Sequence, residues 1–186
     1  MTPPHDQSQY QVRFDWGPEG ASTVGSGVDV FIVVDVLPGA GAGSERRDIG
    51  QHLGSAAPGA AIIAGNLRNR TAIAEWVIAR QADANRRIMV AIVAAGEDRG
   101  NGSIRFAVED FLAAGAIIDA LADVGIDYCS PEAAAACVSF TGLRPGIRHA
   151  VAASASGKEL VESGFARELA LASEVDSSTE VPVLAE

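Results

Sequence analysis

Hydrophobic residues in this chain form short continuous runs, separated by polar segments and by stretches with helical spacing. The clearest run covers residues 30–37, where six of the eight residues are aliphatic and none is Gly or Pro. Such a run is typical of a strand that is buried on both faces of an α/β sheet. Residues 60–65 and 88–95 predict two more buried strands, and the polar–apolar alternation of residues 11–16 predicts a first strand.

Helical patterns lie between and after these strands. Ile73, Trp76 and Val77 follow helical spacing after a turn at residues 66–71. Further helices are predicted over residues 106–121 and from Ser130, with Pro131 in the first turn. Another helix is predicted to begin at Ser156. Gly164 interrupts it, and a second helix then runs to residue 173.

The remaining segments predict smaller features. Residues 17–20 break the first strand, and the Gly- and Ala-rich residues 38–47 predict a mobile loop. Residues 148–153 predict a short strand, and residues 181–184 predict an edge strand or a docked tail. Strands that alternate with helices predict an α/β fold in three layers, α/β/α, with a mixed, largely parallel sheet.

Length and composition fit one globular domain. The chain has 186 residues, of which 48% are hydrophobic, enough for a sizeable core. We expect a flexible N-terminal tail over residues 1–10 and a single α/β domain over residues 11–186. Cys129 and Cys137 are expected to be reduced thiols, and two Cys with only three His do not favour a zinc site.

The charge balance narrows the range of partners. The chain has 24 acidic and 14 basic residues, a net charge of −10, which argues against binding to nucleic acid or to an anionic membrane. A small anionic substrate would need a bound cation or a local basic pocket. The N-terminal residues lack a leader pattern and no apolar run could span a membrane, so we expect a cytoplasmic protein. A homodimer is expected because twofold dimers are the commonest soluble oligomers.

Residues capable of chemistry collect where the predicted strands end. The carboxyl ends of parallel strands line the ligand crevice of open α/β sheets, so we expect these side chains to meet in one crevice. They are Asp35, Asn66, Arg68, Asn69, Glu97 and Arg99.

Carboxylates at these positions favour a hard cation. Asp35 and Glu97, together with Glu109 or Asp110, would offer oxygen ligands to Mg²⁺, which prefers oxygen and usually keeps several waters. Alternatively, Asp35 caps the loop after its strand, while Glu109 and Asp110 stabilise the dipole at a helix start.

Basic and amide side chains favour an anionic substrate. Arg68 and Arg99 could clamp a phosphate or sulfonate through bidentate hydrogen bonds, and Asn66 and Asn69 could donate further ones. Alternatively, the arginines are solvated surface charges, and the asparagines cap the following helix. Backbone N–H groups at a helix start could add an anion contact at Ser156 and Gly157, unless Ser156 is simply an N-cap.

Motifs of other enzyme classes are absent from the sequence. No Walker A motif is present, no GxGxxG follows a strand, and no GxSxG elbow occurs. Nucleotide binding and serine hydrolase chemistry are therefore not favoured.

An ordered set of stretches resembles the 2-phosphosulfolactate phosphatase (ComB) family. No single stretch is specific, but together they follow the family's order through most of the chain. They are VRFDWGPEG (12–20), VVDVL (33–37), AGNLRN (64–69), VAAGE (93–97), VEDFLAAGAII (108–118), ASGKEL (155–160), GF (164–165) and VPVL (181–184).

The resemblance implies an α/β, Mg²⁺-dependent enzyme. It would hydrolyse 2-phospho-3-sulfolactate to 3-sulfolactate and phosphate, a step toward coenzyme M in methanogens. Together with the strand-end placement, it makes Asp35, Glu97 and Arg68 the expected catalytic residues. The alternative is a catalytically impaired homologue that binds a small anion. A structural subunit is a third possibility, which the low aromatic content does not favour.

One departure from the family follows Leu37. The family continues there into a Ser/Thr-rich helix, more sheet and a Pro-Asn-Gly-Ser-like turn, whereas here the chain enters the Gly/Ala tract at once. Residues 48–51 stand where that turn is expected. Either the protein has lost donors near the phosphate, or the sequence omits residues that belong there.

Overall fold

A mixed, largely parallel sheet lies at the centre of the protein. The computed structural model describes residues 4–37, 53, 59–99, 101 and 103–185. The strands are β1 (Val12–Trp16), β2 (Val30–Val34), β3 (Ala61–Gly65), β4 (Val90–Ala94), β5 (Glu97–Asp98), β6 (Ile104–Arg105) and β7 (Val183–Ala185). Five of them form a sheet in the order β1-β4-β2-β3-β7, and β5 and β6 form a separate hairpin. Among the strand pairs of this sheet that the structure describes, only that of β7 with β3 is antiparallel, and it confirms the predicted C-terminal edge strand.

Alternate residues of β2 pack into two different apolar clusters. Val30, Ile32 and Val34 belong to the larger cluster, and Phe31 and Val33 belong to the smaller one. Successive side chains of a strand point to opposite faces, so a strand covered on both faces must be apolar at every position. This requirement explains the continuous hydrophobic run in the sequence.

Helices cover both faces of the sheet. They are α1 (Gly17–Val24), α2 (Arg70–Ala84), α3 (Val108–Asp123), α4 (Pro131–Leu143), α5 (Ile147–Ala153), α6 (Ala155–Glu162) and α7 (Ala166–Ala172). Ala21 and Val24 of α1 pack in the smaller cluster, whereas Ile73 of α2, Leu112 of α3 and Phe140 of α4 pack in the larger one. The predicted three-layer α/β/α fold is confirmed.

The four parallel strands end level with one another. Their last residues lie in one row across the sheet: Trp16 of β1, Ala94 of β4, Val34 of β2 and Gly65 of β3. The chain leaves β1 into a helix on one face and leaves β3 toward a helix on the other. Connections that diverge in this way open a crevice at the carboxyl ends of the strands.

The prediction of a strand over residues 148–153 is wrong. These residues lie in α5, where Ile147 and Val151 are buried and Arg148, His149 and Ala152 are exposed. Buried residues four apart mark one face of a helix, not the two-residue period of a strand.

Two helix starts differ from the expected ones. Ser130 caps α4 as predicted, with its Oγ accepting from the Ala133 N–H at 3.2 Å. The cap of α6 is Ser154, not Ser156, and its Oγ accepts from the Gly157 N–H at 3.0 Å. Residues 17–20 form the start of α1, because Pro18 in the first turn supports a helix there.

The expected N-terminal tail is docked in part. Gln7 is buried and pairs with Phe14 of β1, donating from Nε2 to the carbonyl and accepting from the N–H through Oε1. These contacts tie the segment around Gln7 to β1, and the expected domain boundary at residue 10 stays a prediction. The expected mobile loop, residues 38–47, and the departure from the family at residues 48–51 lie outside the described residues.

Among the helices that the structure describes, none combines the length and apolar character needed to cross a membrane.

A glycine sets the distance between α3 and α4. A Cβ atom on Gly115 would lie 2.0 Å from the carbonyl oxygen of Ala136. We expect Gly115→Ala to lower the free energy of unfolding by about 1–3 kcal/mol because the two backbones must separate. Gly142→Ala is the control: nothing lies within 4 Å of that added Cβ, and Ala should stabilise α4 by about 0.5–1 kcal/mol. Urea unfolding measures both changes, and equal effects would contradict the interpretation.

Candidate active site

Asp35 lies directly after β2 at the carboxyl edge of the sheet. Its side chain is only 4% exposed, although it follows five apolar strand residues. Continuing the parallel register places Asp35 level with Ala95 after β4 and Asn66 after β3. The predicted position of this acid at a strand end is confirmed.

Asp110 connects two of the strand ends. It is the third residue of α3 and is 3% exposed. Its Oδ1 accepts from the Val36 N–H at 2.8 Å, and its Oδ2 accepts from the Gly96 N–H at 3.0 Å. One carboxylate thus holds the peptide groups that follow Asp35 and precede Glu97.

The Asp110 carboxylate lies in an environment that disfavours its charge. Burial raises its pKa well above the usual value, and the nearby charges of Asp35 and Glu109 raise it further. The two backbone N–H donors lower the pKa, but they do not outweigh burial. Glu109 is itself only 3% exposed, so three acidic residues collect at this edge.

Glu97 begins the hairpin of β5 and β6. Its Oε2 accepts from Nε of Arg105 at 2.6 Å and also from Nη2 of Arg105, its cross-strand neighbour. The carboxylate of Glu97 is therefore partly neutralised and held at the base of the hairpin, next to Gly96.

Two glycines seat this hairpin on the sheet edge. A Cβ on Gly17 would lie 1.9 Å from Cδ1 of Ile104, and one on Gly96 would lie 2.3 Å from Cγ2 of Ile104. Both glycines also have positive φ, +58° and +67°, a conformation that L side chains rarely adopt. Only glycine at these positions lets Ile104 of β6 pack over the ends of β1 and β4.

Aromatic side chains fix the start of α3 beside the same edge. The ring of Trp16 lies 5.2 Å from that of Phe106 and 6.1 Å from that of Phe111, between centroids. Phe111 follows Asp110 directly, so this packing helps to hold the first turn of α3 against the end of β1.

Asn66 and Asn69 cap the 3₁₀ turn Leu67–Asn69, whereas the side chain of Asn69 makes no capping hydrogen bond to α2, the helix that they were expected to cap. Asn66 Oδ1 accepts from the Arg68 N–H at 2.9 Å, and Asn69 Oδ1 accepts from the Asn66 N–H at 3.0 Å. Asn69 Nδ2 donates to the carbonyls of Ala64 and Glu180 at 3.2 and 3.0 Å. The amide of Asn69 thus serves the turn and the C-terminal segment.

The predicted anion-binding arginines lie in different surroundings. Arg68 belongs to the 3₁₀ turn Leu67–Asn69, and its Nε donates to Ser177 Oγ at 3.1 Å. Arg99 is exposed between the strands of the hairpin, and its N–H donates to the Ser103 carbonyl at 3.1 Å. Arg99 thus shares the hairpin of Glu97, whereas Arg68 contacts the C-terminal segment.

Ser156 and Gly157 lie in the first turn of α6. The Gly157 N–H donates a hydrogen bond to Ser154 Oγ, and a Cβ on Gly157 would lie 2.3 Å from the carbonyl oxygen of Val151. α6 packs on α5 and α7. The contacts of Gly157 are thus those of a glycine in a helix-to-helix turn.

Oxygen ligands at this edge suit Mg²⁺. Within the part of the chain that the structure describes, no three acidic, His or Cys side chains form a metal-binding group. Mg²⁺ needs fewer, since it is commonly bound through one or two carboxylates together with water and substrate phosphate. The buried carboxyl of Asp35, with Glu97 on the adjoining loop, fits that donor set.

Two features of the site were missed by the sequence reasoning. Arg105 pairs with Glu97 because a short hairpin places residues eight apart side by side; the polar, Gly-rich residues 98–103 were the available signal. The contacts of Asp110 had no such signal, because its partners lie 74 and 14 residues away.

A comparison with protein families identifies one match. A family model described as 2-phosphosulpholactate phosphatase matches residues 51–186. No curated protein matches the chain. The matched range contains Asn66, Glu97 and Asp110, while Asp35 precedes it.

Proposed function

The chain belongs to the 2-phosphosulpholactate phosphatase family, and we propose that it hydrolyses 2-phospho-3-sulfolactate or a related small phosphate ester with the help of Mg²⁺. The observation that carries this proposal is the buried carboxyl of Asp35 at a sheet edge that also holds Asp110 and Glu97. A buried acid with a raised pKa, such as Asp110, beside a strand-end crevice is typical of a functional site.

Asp35 and Glu97 are the proposed holders of Mg²⁺. Asp35 is anchored by its place directly after a rigid central strand, and Glu97 is anchored by its ion pair with Arg105. When bound, the ion supplies charge neutralisation for the phosphate and a more acidic water.

Arg99 and Arg68 are proposed to bind the anionic groups of the substrate. The net charge of −10 would repel such a substrate, so local cations must offset the field at the crevice. Arg99 is the better placed of the two, since it shares the hairpin of Glu97. The Nδ2 group of Asn66 is the proposed donor to the charge that develops on the phosphoryl oxygens.

A direct assay tests this proposal. We expect phosphate release from 2-phospho-3-sulfolactate, and more slowly from p-nitrophenyl phosphate, in the presence of Mg²⁺. EDTA should abolish release, and added Mg²⁺ should restore it. A malachite-green phosphate assay measures the rates.

Two outcomes would contradict the proposal. Release that persists unchanged in EDTA would exclude Mg²⁺ dependence. Binding of sulfolactate by calorimetry, without turnover of either ester, would identify the protein as a small-anion binder. The expected cytoplasmic location and homodimer stay predictions.

A further inference from the structure

One side chain determines how the two proposed metal-binding loops lie relative to each other. The Val36 N–H belongs to the peptide that follows Asp35, and the Gly96 N–H belongs to the residue before Glu97. Both donate to the carboxylate of Asp110, at 2.8 and 3.0 Å. The loops after β2 and β4 are thereby fastened to a common point on α3.

This arrangement differs from that of an ordinary acid in a helix start. An Asp at the third helical position commonly serves the N-terminus of its own helix, through a capping contact or the dipole. Asp110 instead accepts from two N–H groups of other elements, and it does so while buried. A buried carboxylate next to Asp35 is costly, because burial and like charge both disfavour its ionised form.

We propose that Asp110 is a positioning residue that fixes the separation of Asp35 and Glu97 by holding the peptide groups beside them. This inference rests on the proposed function of these two acids. Both oxygens of Asp110 accept backbone N–H groups, and in this proposal the direct contacts with the metal are assigned to Asp35 and Glu97. Asp110 then acts on the site through the two loops that it holds.

The inference predicts a specific kinetic change for Asp110→Asn. The amide keeps the size of the side chain but replaces one acceptor oxygen with an NH₂ group, which opposes either the Val36 or the Gly96 N–H. One loop is then released. Small displacements of a catalytic group reduce turnover strongly, so we expect kcat for p-nitrophenyl phosphate with Mg²⁺ to fall about 100-fold, while KM changes less than about threefold.

Asp119→Asn is the matched control. Asp119 lies on the same helix and accepts from Arg70 Nη1 at 2.6 Å, away from the strand ends. It should lose stability but keep kcat, so a comparison of the two variants separates positioning from general loosening of α3. Should Asp110→Asn not fold, Asp110→Ser provides a second test, because its single hydroxyl can reach at most one of the two donors.

Amide hydrogen exchange provides a readout that does not depend on activity. In Asp110→Asn, exchange should accelerate at Val36 or Gly96 relative to wild type, and it should stay unchanged at both in Asp119→Asn. Faster exchange together with the fall in kcat supports the inference. Unchanged exchange at both amides, or faster exchange with wild-type kcat, overturns it. If the wild-type protein hydrolyses no ester, the proposed function fails on its own, and exchange alone decides whether Asp110 positions the two loops.

Discussion

Replacing Asp35 with Asn should reduce phosphate ester hydrolysis by on the order of 100- to 1,000-fold, the usual size of the effect when a charge-stabilising group is removed from an active site. Asn keeps the shape of the side chain but lacks the negative charge that a divalent cation requires. The protein should nevertheless fold at least as stably as wild type, because the charge of Asp35 opposes the ionised form of the buried Asp110. Lost activity with retained or increased stability is the pattern expected of a functional acid. Initial rates with saturating Mg²⁺, together with urea unfolding, measure both effects.

Asp29→Asn is the matched control for this experiment. Asp29 precedes β2 at the opposite end of the same strand, where it accepts from Arg86 and from the Met89 N–H. Its replacement should lower stability without changing kcat. Glu97→Gln should lower activity as Asp35→Asn does, since we propose that both acids hold the ion. Full activity in both Asp35→Asn and Glu97→Gln would exclude the proposed mechanism.

The position of Asp35 could be predicted from the sequence because it depends on a local pattern. The short apolar run of residues 30–34, without Gly or Pro, favours a central strand, and an acid directly after such a strand lies at its carboxyl end. Parallel pairing then brought Asn66 and the residues after β4 to the same edge, as expected.

The role of Asp110 could not be predicted in the same way. At a helix start an acid has a sufficient local explanation, which is the helix dipole. Its contacts with Val36 and Gly96 exist only because α3 packs beside the ends of β2 and β4. Similarly, the sequence pattern predicted Ser156 as the cap of α6, but the turn after α5 places Ser154 at the cap position instead.

The burial of Arg70 could not be predicted from the sequence either. The sequence gives no sign that this arginine is buried, since it lies in a polar stretch with Arg68 and Thr71. In the structure its side chain is 6% exposed and joins α2, α3 and the C-terminal segment. Such a set of contacts depends on elements that are distant in sequence.

Arg70→Met should lower the free energy of unfolding by about 3–5 kcal/mol, the range found when one partner of a buried ion pair is removed. Arg70 donates from Nη1 to Asp119 at 2.6 Å and to the Ala116 carbonyl at 3.2 Å, and from Nε to Asp176 at 2.9 Å. Burial acts to lower the pKa of its guanidinium, but the hydrogen bonds with Asp119 and Asp176 raise that pKa overall. Met would fill the space but leave two carboxylates without their cation. Urea unfolding at neutral pH measures the loss.

Arg86→Met tests whether burial is the cause. Arg86 makes a comparable two-point ion pair with Asp29, but its side chain is 59% exposed. Water screens such a pair, so we expect its loss to lower the free energy of unfolding far less than the loss of Arg70 does. Arg70→Lys should be intermediate, because it restores the charge but cannot reach both carboxylates with a planar fork. Equal losses in Arg70→Met and Arg86→Met would show that the Arg70 network is no more than a surface ion pair, and that the attachment of the C-terminal segment to α2 and α3 depends on apolar packing instead.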